Sequence, residues 1–135
     1  PELSISAPSL ARELRRGHIA SLIFRPEDAG FRLSPFQAMS STISGPGSGS
    51  PEHEAQLITQ ILLSRQRGDQ RAWVIVNAAL LMYAAGLASS LAQATPLAQN
   101  TLDSGKAGAF LTALVKGRTP QSASPVPPEP AVMPA

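Results

Sequence analysis

Apolar and polar residues alternate over the first part of the chain in the period-two pattern of a strand. Leu10, Arg12 and Leu14 fall on one side, with Ala11 and Glu13 between them, and residues 3 to 24 read as strands. Arg15-Arg16-Gly17 supplies a turn because glycine takes positive φ without steric cost, and His18 to Phe24 continues as a second strand rich in Ile, Leu and Phe. The pattern predicts a β-hairpin. Pro26 has no N–H to give to a ladder, so the second strand ends before it, and Pro26-Glu27-Asp28-Ala29-Gly30 reads as a turn.

Further on the period changes to that of a helix. Ser50-Pro51-Glu52 combines a capping hydroxyl, a proline at the first helical position and an acidic first turn. Leu57, Ile58, Ile61 and Leu62 then form one apolar stripe. A second helix is predicted from Ala72 to Leu91. It is apolar nearly all round, with Trp73, Val76, Leu80, Leu87 and Leu91 along one side. Thr95-Pro96 repeats the cap-and-proline signal and predicts a shorter helix that Gly105 interrupts. A last helix is expected over Lys106–Lys116, with Phe110, Leu111, Leu114 and Val115 inward and Gly117 at its end.

These elements divide the chain into residues 1–117, which form one domain, and residues 118–135. Thr119 to Ala135 holds six prolines, a single carboxylate and no basic residue. Such a segment cannot bury enough apolar surface to offset its ordering entropy, so a disordered proline-rich tail is expected. The fold expected for the chain is a β-hairpin followed by about four packed α-helices. Pro1 stands where a complete gene product would begin with Met, so a fragment, a processed chain or a partial gene product is expected.

Composition narrows the function classes. Aromatics make up only 4%, so Leu, Ile, Val and Ala must build the core. The net charge is +2, far from the concentrated positive face of a nucleic-acid binder, and no nucleic-acid partner is expected. The basic run from Arg65 to Arg71 reads as a solvated interhelical loop. The absence of cysteine removes disulfides, thiolate nucleophiles and Cys-based zinc sites. No basic region followed by an apolar run marks a signal peptide at the start of the sequence. Residues 72–92 carry no charge and are long enough to cross a bilayer. Asn77, Gly86, Ser89 and Ser90 weaken that reading, and the one-sided helices on either side need a buried partner, so a core helix and no membrane contact are expected.

Few residues suggest chemistry on their own. Gly45, Gly47 and Gly49 precede a helix start, but no Lys-Ser/Thr pair follows and the spacing is not a dinucleotide fingerprint, so the segment reads as a linker. His18 and His53 have no second histidine or carboxylate at metal-ligand spacing and are expected at the surface. Glu27 and Asp28 suit a turn, and Asp103 suits a cap at a helix junction.

Taken in order, however, the segments resemble a known family. Glu2-Leu3-Ser4-Ile5-Ser6-Ala7-Pro8, Glu13-Leu14, Gly17, Ile19 and Pro26-Glu27-Asp28-Ala29-Gly30-Phe31 are similar to the later part of anthranilate phosphoribosyltransferases. The likeness continues through Ala55, Ile61-Leu62 and Arg71. It is clearest at Val76-Asn77-Ala78-Ala79, Ala84-Ala85-Gly86, Leu102-Asp103-Ser104-Gly105 and Leu114-Val115. It covers residues 2 to about 116. No single motif is diagnostic; the ordered series carries the resemblance, and nucleoside phosphorylases of the same superfamily are the nearest competitor.

The resemblance implies an α/β fold in the parent enzyme, with this chain as the closing part of its α/β domain. It implies transfer of phosphoribose from phosphoribosyl pyrophosphate to anthranilate in tryptophan biosynthesis, in the cytoplasm and with Mg²⁺. It further implies a homodimer that depends on an upstream helical domain. The family's magnesium-binding pair is Asp-Glu; here Glu2 matches and Pro1 stands where Asp is expected, so Glu2 is the one candidate metal ligand. No catalytic or substrate-binding residue carries over, because the glycine-rich pyrophosphate loop and the anthranilate-contacting segments lie upstream in the family. The chain alone is therefore expected to be inactive. Glu54 replaces a usual Asn, and Ala72 a usual Asp. Two other readings stay open: a non-catalytic paralogue that keeps the fold for binding or regulation, and a small membrane-anchored protein.

Overall fold

A computed structural model describes residues 2–35 and 49–117. Its elements are β1 (Ser9–Arg15), β2 (His18–Phe24), a 3₁₀ turn (Pro26–Ala29), and helices α1 (Pro51–Leu62), α2 (Asp69–Ala84), α3 (Leu91–Asp103) and α4 (Lys106–Val115). The expected hairpin and four helices are present. The predicted tail at 118–135 and Gly45 and Gly47 lie outside the described residues.

β1 and β2 pair antiparallel from Ser9↔Phe24 to Arg15↔His18. The two loop residues, Arg16 (φ 49°) and Gly17 (φ 79°), both take positive φ, as a two-residue turn matched to strand twist requires. The pairing starts at Ser9 rather than at residue 3. Residues 3–8 have a different partner: Leu3 and Ile5 are buried, and the backbone of Leu3 bonds to side chains of α2. The turn after β2 closes as its composition suggests. The Asp28 carboxylate accepts from the Arg25 N–H at 2.8 Å, and Gly30 leaves in the left-handed region.

Helix α1 begins where expected, with Ser50 Oγ accepting from the His53 N–H. The long apolar run does not form one helix. α2 ends at Ala84, Gly86 reverses the chain at φ 74°, and α3 starts at Leu91. Ser90, extended, caps α3 by accepting from the Gln93 N–H at 3.2 Å. This competing cap and glycine break the predicted 72–91 helix, and they also displace the predicted Thr95-Pro96 start. Pro96 sits inside α3, and Thr95 donates its hydroxyl to the Leu91 carbonyl at 2.9 Å instead of capping.

The core lies where α2 and α3 meet. Ile75, Val76 and Ala79 of α2 are buried with Leu91, Ala94, Ala98 and Leu102 of α3, and Leu3, Ile5 and Ala29 join them. Alanines at 79, 94 and 98, each at most 2% exposed, let the two backbones approach closely. Of the side predicted from Trp73, Val76, Leu80, Leu87 and Leu91, Val76 and Leu91 are buried and Trp73 and Leu80 pack against the core, whereas Leu87, beyond the break at Gly86, is exposed.

The α4 expectation is corrected. Phe110, Leu114 and Val115 are exposed, Leu111 is half-buried, and Gly108 is the buried residue. The helix packs on α1 through its glycine: a Cβ added at Gly108 would lie 2.7 Å from Leu63 Cδ2 and 3.2 Å from the Leu62 carbonyl oxygen. That close approach turns the bulky side away from α1. Among the described residues no helix is long and apolar enough to cross a membrane.

Ile75→Ala should destabilise the chain by about 2–5 kcal/mol through lost transfer energy and a cavity. Leu87→Ala should stay within about 0.5 kcal/mol, as surface changes do. Urea titrations of the two variants check this; equal losses would place the core elsewhere.

Candidate functional site

The segment that carries Glu2 is held by helix α2. Leu3 is buried, so its peptide groups need partners inside the protein. The Leu3 N–H donates to Asn77 Oδ1 at 2.8 Å, and Asn77 Nδ2 donates to the Leu3 carbonyl at 3.0 Å. Trp73 Nε1 donates to that same carbonyl at 2.8 Å. Trp73 and Asn77 are one helical turn apart on one face, so a single stretch of α2 grips both sides of Leu3. Ser34 N–H donates to the Ile5 carbonyl at 2.9 Å, which holds the segment two residues further on. The Ser34 hydroxyl also donates to Asp69 at the start of α2.

Leu3 and Ile5 point into the core, and Glu2 is exposed beside them. Its carboxylate therefore projects from fixed backbone into solvent. Among the described residues no three His, Asp or Glu side chains gather into a metal-binding cluster. Mg²⁺ usually keeps several waters and takes one or two protein carboxylates together with substrate phosphates. One exposed carboxylate next to an anchored peptide fits a single position in such a shell.

A second polar cluster ties the helices together. Asp103, the last residue of α3, accepts from the Ser64 hydroxyl and from Arg71 NH2, each at 2.8 Å. Arg67 approaches the same oxygen at 3.5 Å, from a largely exposed position. The Ser64 hydrogen bond holds the Asp103 carboxyl below the ordinary carboxylate range; partial burial opposes this, and the Arg71 and Arg67 charges add to the lowering. The expected capping role of Asp103 is thus replaced by a link between three helix ends. The basic run is only partly the solvated loop predicted for it: Arg65 and Arg67 are exposed, whereas Arg71 is buried against Asp103.

The remaining candidates stay apart. His18 is exposed at the start of β2, and His53 is half-buried in the first turn of α1. Glu13 accepts from the Tyr83 hydroxyl at 2.7 Å, which fastens the hairpin to the end of α2 and raises the Tyr83 pKa. A groove of about 450 Å³ beside this pair is lined by Leu22, Phe24, Leu80 and Leu81, and it does not include Glu2. The roles of Trp73 and Asn77 were missed in the sequence. The available signal was an indole and an amide four residues apart in a stretch that carries no charge after Arg71, each needing a partner when buried.

The described residues thus form a hairpin with helices packed beside it, preceded by an anchored segment bearing an exposed carboxylate. Residues 1–108 match the family described as glycosyl transferase family, a/b domain, and the chain belongs to that family. Among its relatives are the anthranilate phosphoribosyltransferases of Moorella thermoacetica, 36% identical over 84% of this chain, and of Chloroflexus aggregans, 34% identical over 78% of it. That of Methanococcoides burtonii is 36% identical over 85% of the chain. The chain spans only 31%, 29% and 30% of the lengths of these relatives, respectively.

Asp103 provides a test of the helix link. A depressed carboxyl pKa stabilises the fold above the unfolded-state value, near 3.8, and that contribution is lost as pH falls through the folded value. Asp103→Asn should therefore be less stable than the native chain above about pH 5, with the gap shrinking steadily below about pH 4. Denaturant midpoints measured from pH 7 to pH 2 check this; a gap unchanged at pH 2 would show that the ionised carboxylate is not what matters.

Proposed function

We propose that this chain is the closing portion of a phosphoribosyltransferase that moves phosphoribose from phosphoribosyl pyrophosphate to anthranilate in tryptophan biosynthesis. The family match across residues 1–108 carries the reading. The relatives named above supply the substrates, and the resemblance through Glu2-Leu3-Ser4 and Val76-Asn77-Ala78-Ala79 falls on the two segments that grip each other. In this reading Glu2 is a ligand of Mg²⁺, which when bound offsets charge on the diphosphate leaving group. The protein works in the cytoplasm as a homodimer assembled through a helical domain elsewhere in the polypeptide.

A specific residue favours a second reading. Pro1 occupies the place of the family's aspartate, which suits a paralogue that keeps the fold for binding without turnover.

The 135-residue chain by itself should show no transferase activity, because it spans less than a third of the relatives' length. The complete polypeptide that contains it should consume anthranilate when given phosphoribosyl pyrophosphate and Mg²⁺, followed as loss of anthranilate fluorescence. Turnover by the repurified 135-residue chain would overturn the first expectation. A complete polypeptide that binds both substrates without consuming them would replace the enzyme reading with the paralogue.

A further inference from the structure

Asn77 uses its whole amide on two backbone segments. Oδ1 accepts from the Leu3 N–H at 2.8 Å, while Nδ2 donates to the Leu3 carbonyl and to the Trp73 carbonyl, both at 3.0 Å. An amide turned over would set NH₂ against the Leu3 N–H, so this network fixes its orientation. The bond to the Trp73 carbonyl also locks the side chain to its own helix.

The two bonds to Leu3 fall on successive peptide planes. The Leu3 N–H belongs to the planar unit that includes the Glu2 carbonyl and the Glu2 Cα. Fixing that plane places the Glu2 Cα. The Leu3 carbonyl belongs to the next plane, and it already accepts from Trp73 Nε1 at 2.8 Å. Burial alone therefore does not demand the Nδ2 bond, since the indole satisfies the carbonyl. What the indole cannot provide is the acceptor for the Leu3 N–H, the contact that sets the Glu2–Leu3 plane.

We propose that Asn77 is the positioning residue for Glu2: its amide fixes the Glu2–Leu3 peptide plane and so sets where the Glu2 carboxylate meets magnesium-bound diphosphate. The inference rests on the reading of Glu2 as a magnesium ligand. Glu2 is the group that would touch the metal; Asn77 acts through the backbone between them.

The test uses the complete polypeptide and the variants Glu2→Gln, Asn77→Ala, Asn77→Asp and Leu91→Ala. Two quantities are read: the Mg²⁺ concentration giving half-maximal rate, and, without turnover, Mg²⁺ binding by calorimetry in the presence of phosphoribosyl pyrophosphate. Loss of a residue that orients a metal ligand typically weakens metal affinity about 10–100-fold. Asn77→Ala should weaken Mg²⁺ binding by about that factor. Asn77→Asp keeps the acceptor for the Leu3 N–H and should weaken it less. Glu2→Gln should weaken it too, and the Glu2→Gln/Asn77→Ala double variant should add little beyond the larger single effect. Leu91→Ala, a core truncation with no bond to Leu3, should lower stability and leave the Mg²⁺ constant unchanged. If Asn77→Ala folds and binds Mg²⁺ normally while Glu2→Gln does not, the positioning role is overturned and the Glu2 reading survives. If Glu2→Gln changes neither quantity, the Glu2 reading falls and takes the positioning role with it. If Asn77→Ala fails to fold, Asn77→Asp decides: a Mg²⁺ constant much closer to the native value than that of Glu2→Gln supports the role, and one as impaired as that of Glu2→Gln, with the acceptor for the Leu3 N–H kept, overturns it.

Discussion

The satisfaction of one buried peptide constrains much of this structure. Leu3 lies in the core, and leaving its N–H or its carbonyl unpaired there would cost about 1–3 kcal/mol each. A strand partner would be the ordinary solution, but the hairpin begins only at Ser9. Helix α2 supplies the partners instead, through Asn77 and Trp73. A helix can do this only with side chains, since its own backbone groups are already spent on the i→i−4 ladder. The need for an amide and an indole on one face of an apolar helix follows directly.

The same helix is held at its other contacts by two contrasting devices. Against α3 it relies on small residues, Ala79 opposite a surface that includes Ala94 and Ala98, where cohesion comes from backbone proximity. Near its start it relies on Arg71, whose buried guanidinium needs a charge partner and finds one in Asp103 at the far end of α3. Among the described residues Arg71 Nε, and the neighbouring Gln70 Nε2, find no hydrogen-bond partner. Ser64, next to the end of α1, completes the Asp103 shell and brings a third helix to the same point. The apolar contact and the ionic contact thus join α2 and α3 at two different points.

The fold was legible in the sequence wherever a local rule acted alone. Gly17 announced the hairpin turn, Ser50-Pro51 announced α1, and Gly105 announced the break before α4, because each depends on the φ preference or capping chemistry of the residue itself. Reading failed where two local signals competed. Ser90 and Thr95-Pro96 both offer a helix start, and only the position of Gly86 in the left-handed region decides for the earlier one. It failed again where inward and outward depend on what stands opposite, as for Phe110, Leu114 and Val115 on α4. The family resemblance extended over nearly the whole described chain, and it singled out Glu2 as a candidate. What it could not give was the grip on Leu3, a contact between residues more than seventy positions apart that no spacing along the chain encodes.

Gly108 has a bearing on how far this sequence can drift. In the interior of a helix, alanine is favoured over glycine by about 1 kcal/mol, so unconstrained mutation would be expected to replace it. Here the added methyl would meet the Leu62 carbonyl oxygen at 3.2 Å, a backbone atom that cannot swing aside as the end of the Leu63 side chain can. Helix preference and packing therefore pull in opposite directions at this one codon. Alanine there requires the Leu63 side chain to turn and the Leu62 carbonyl to give way slightly, so what α4 can accept at this position depends on the end of α1.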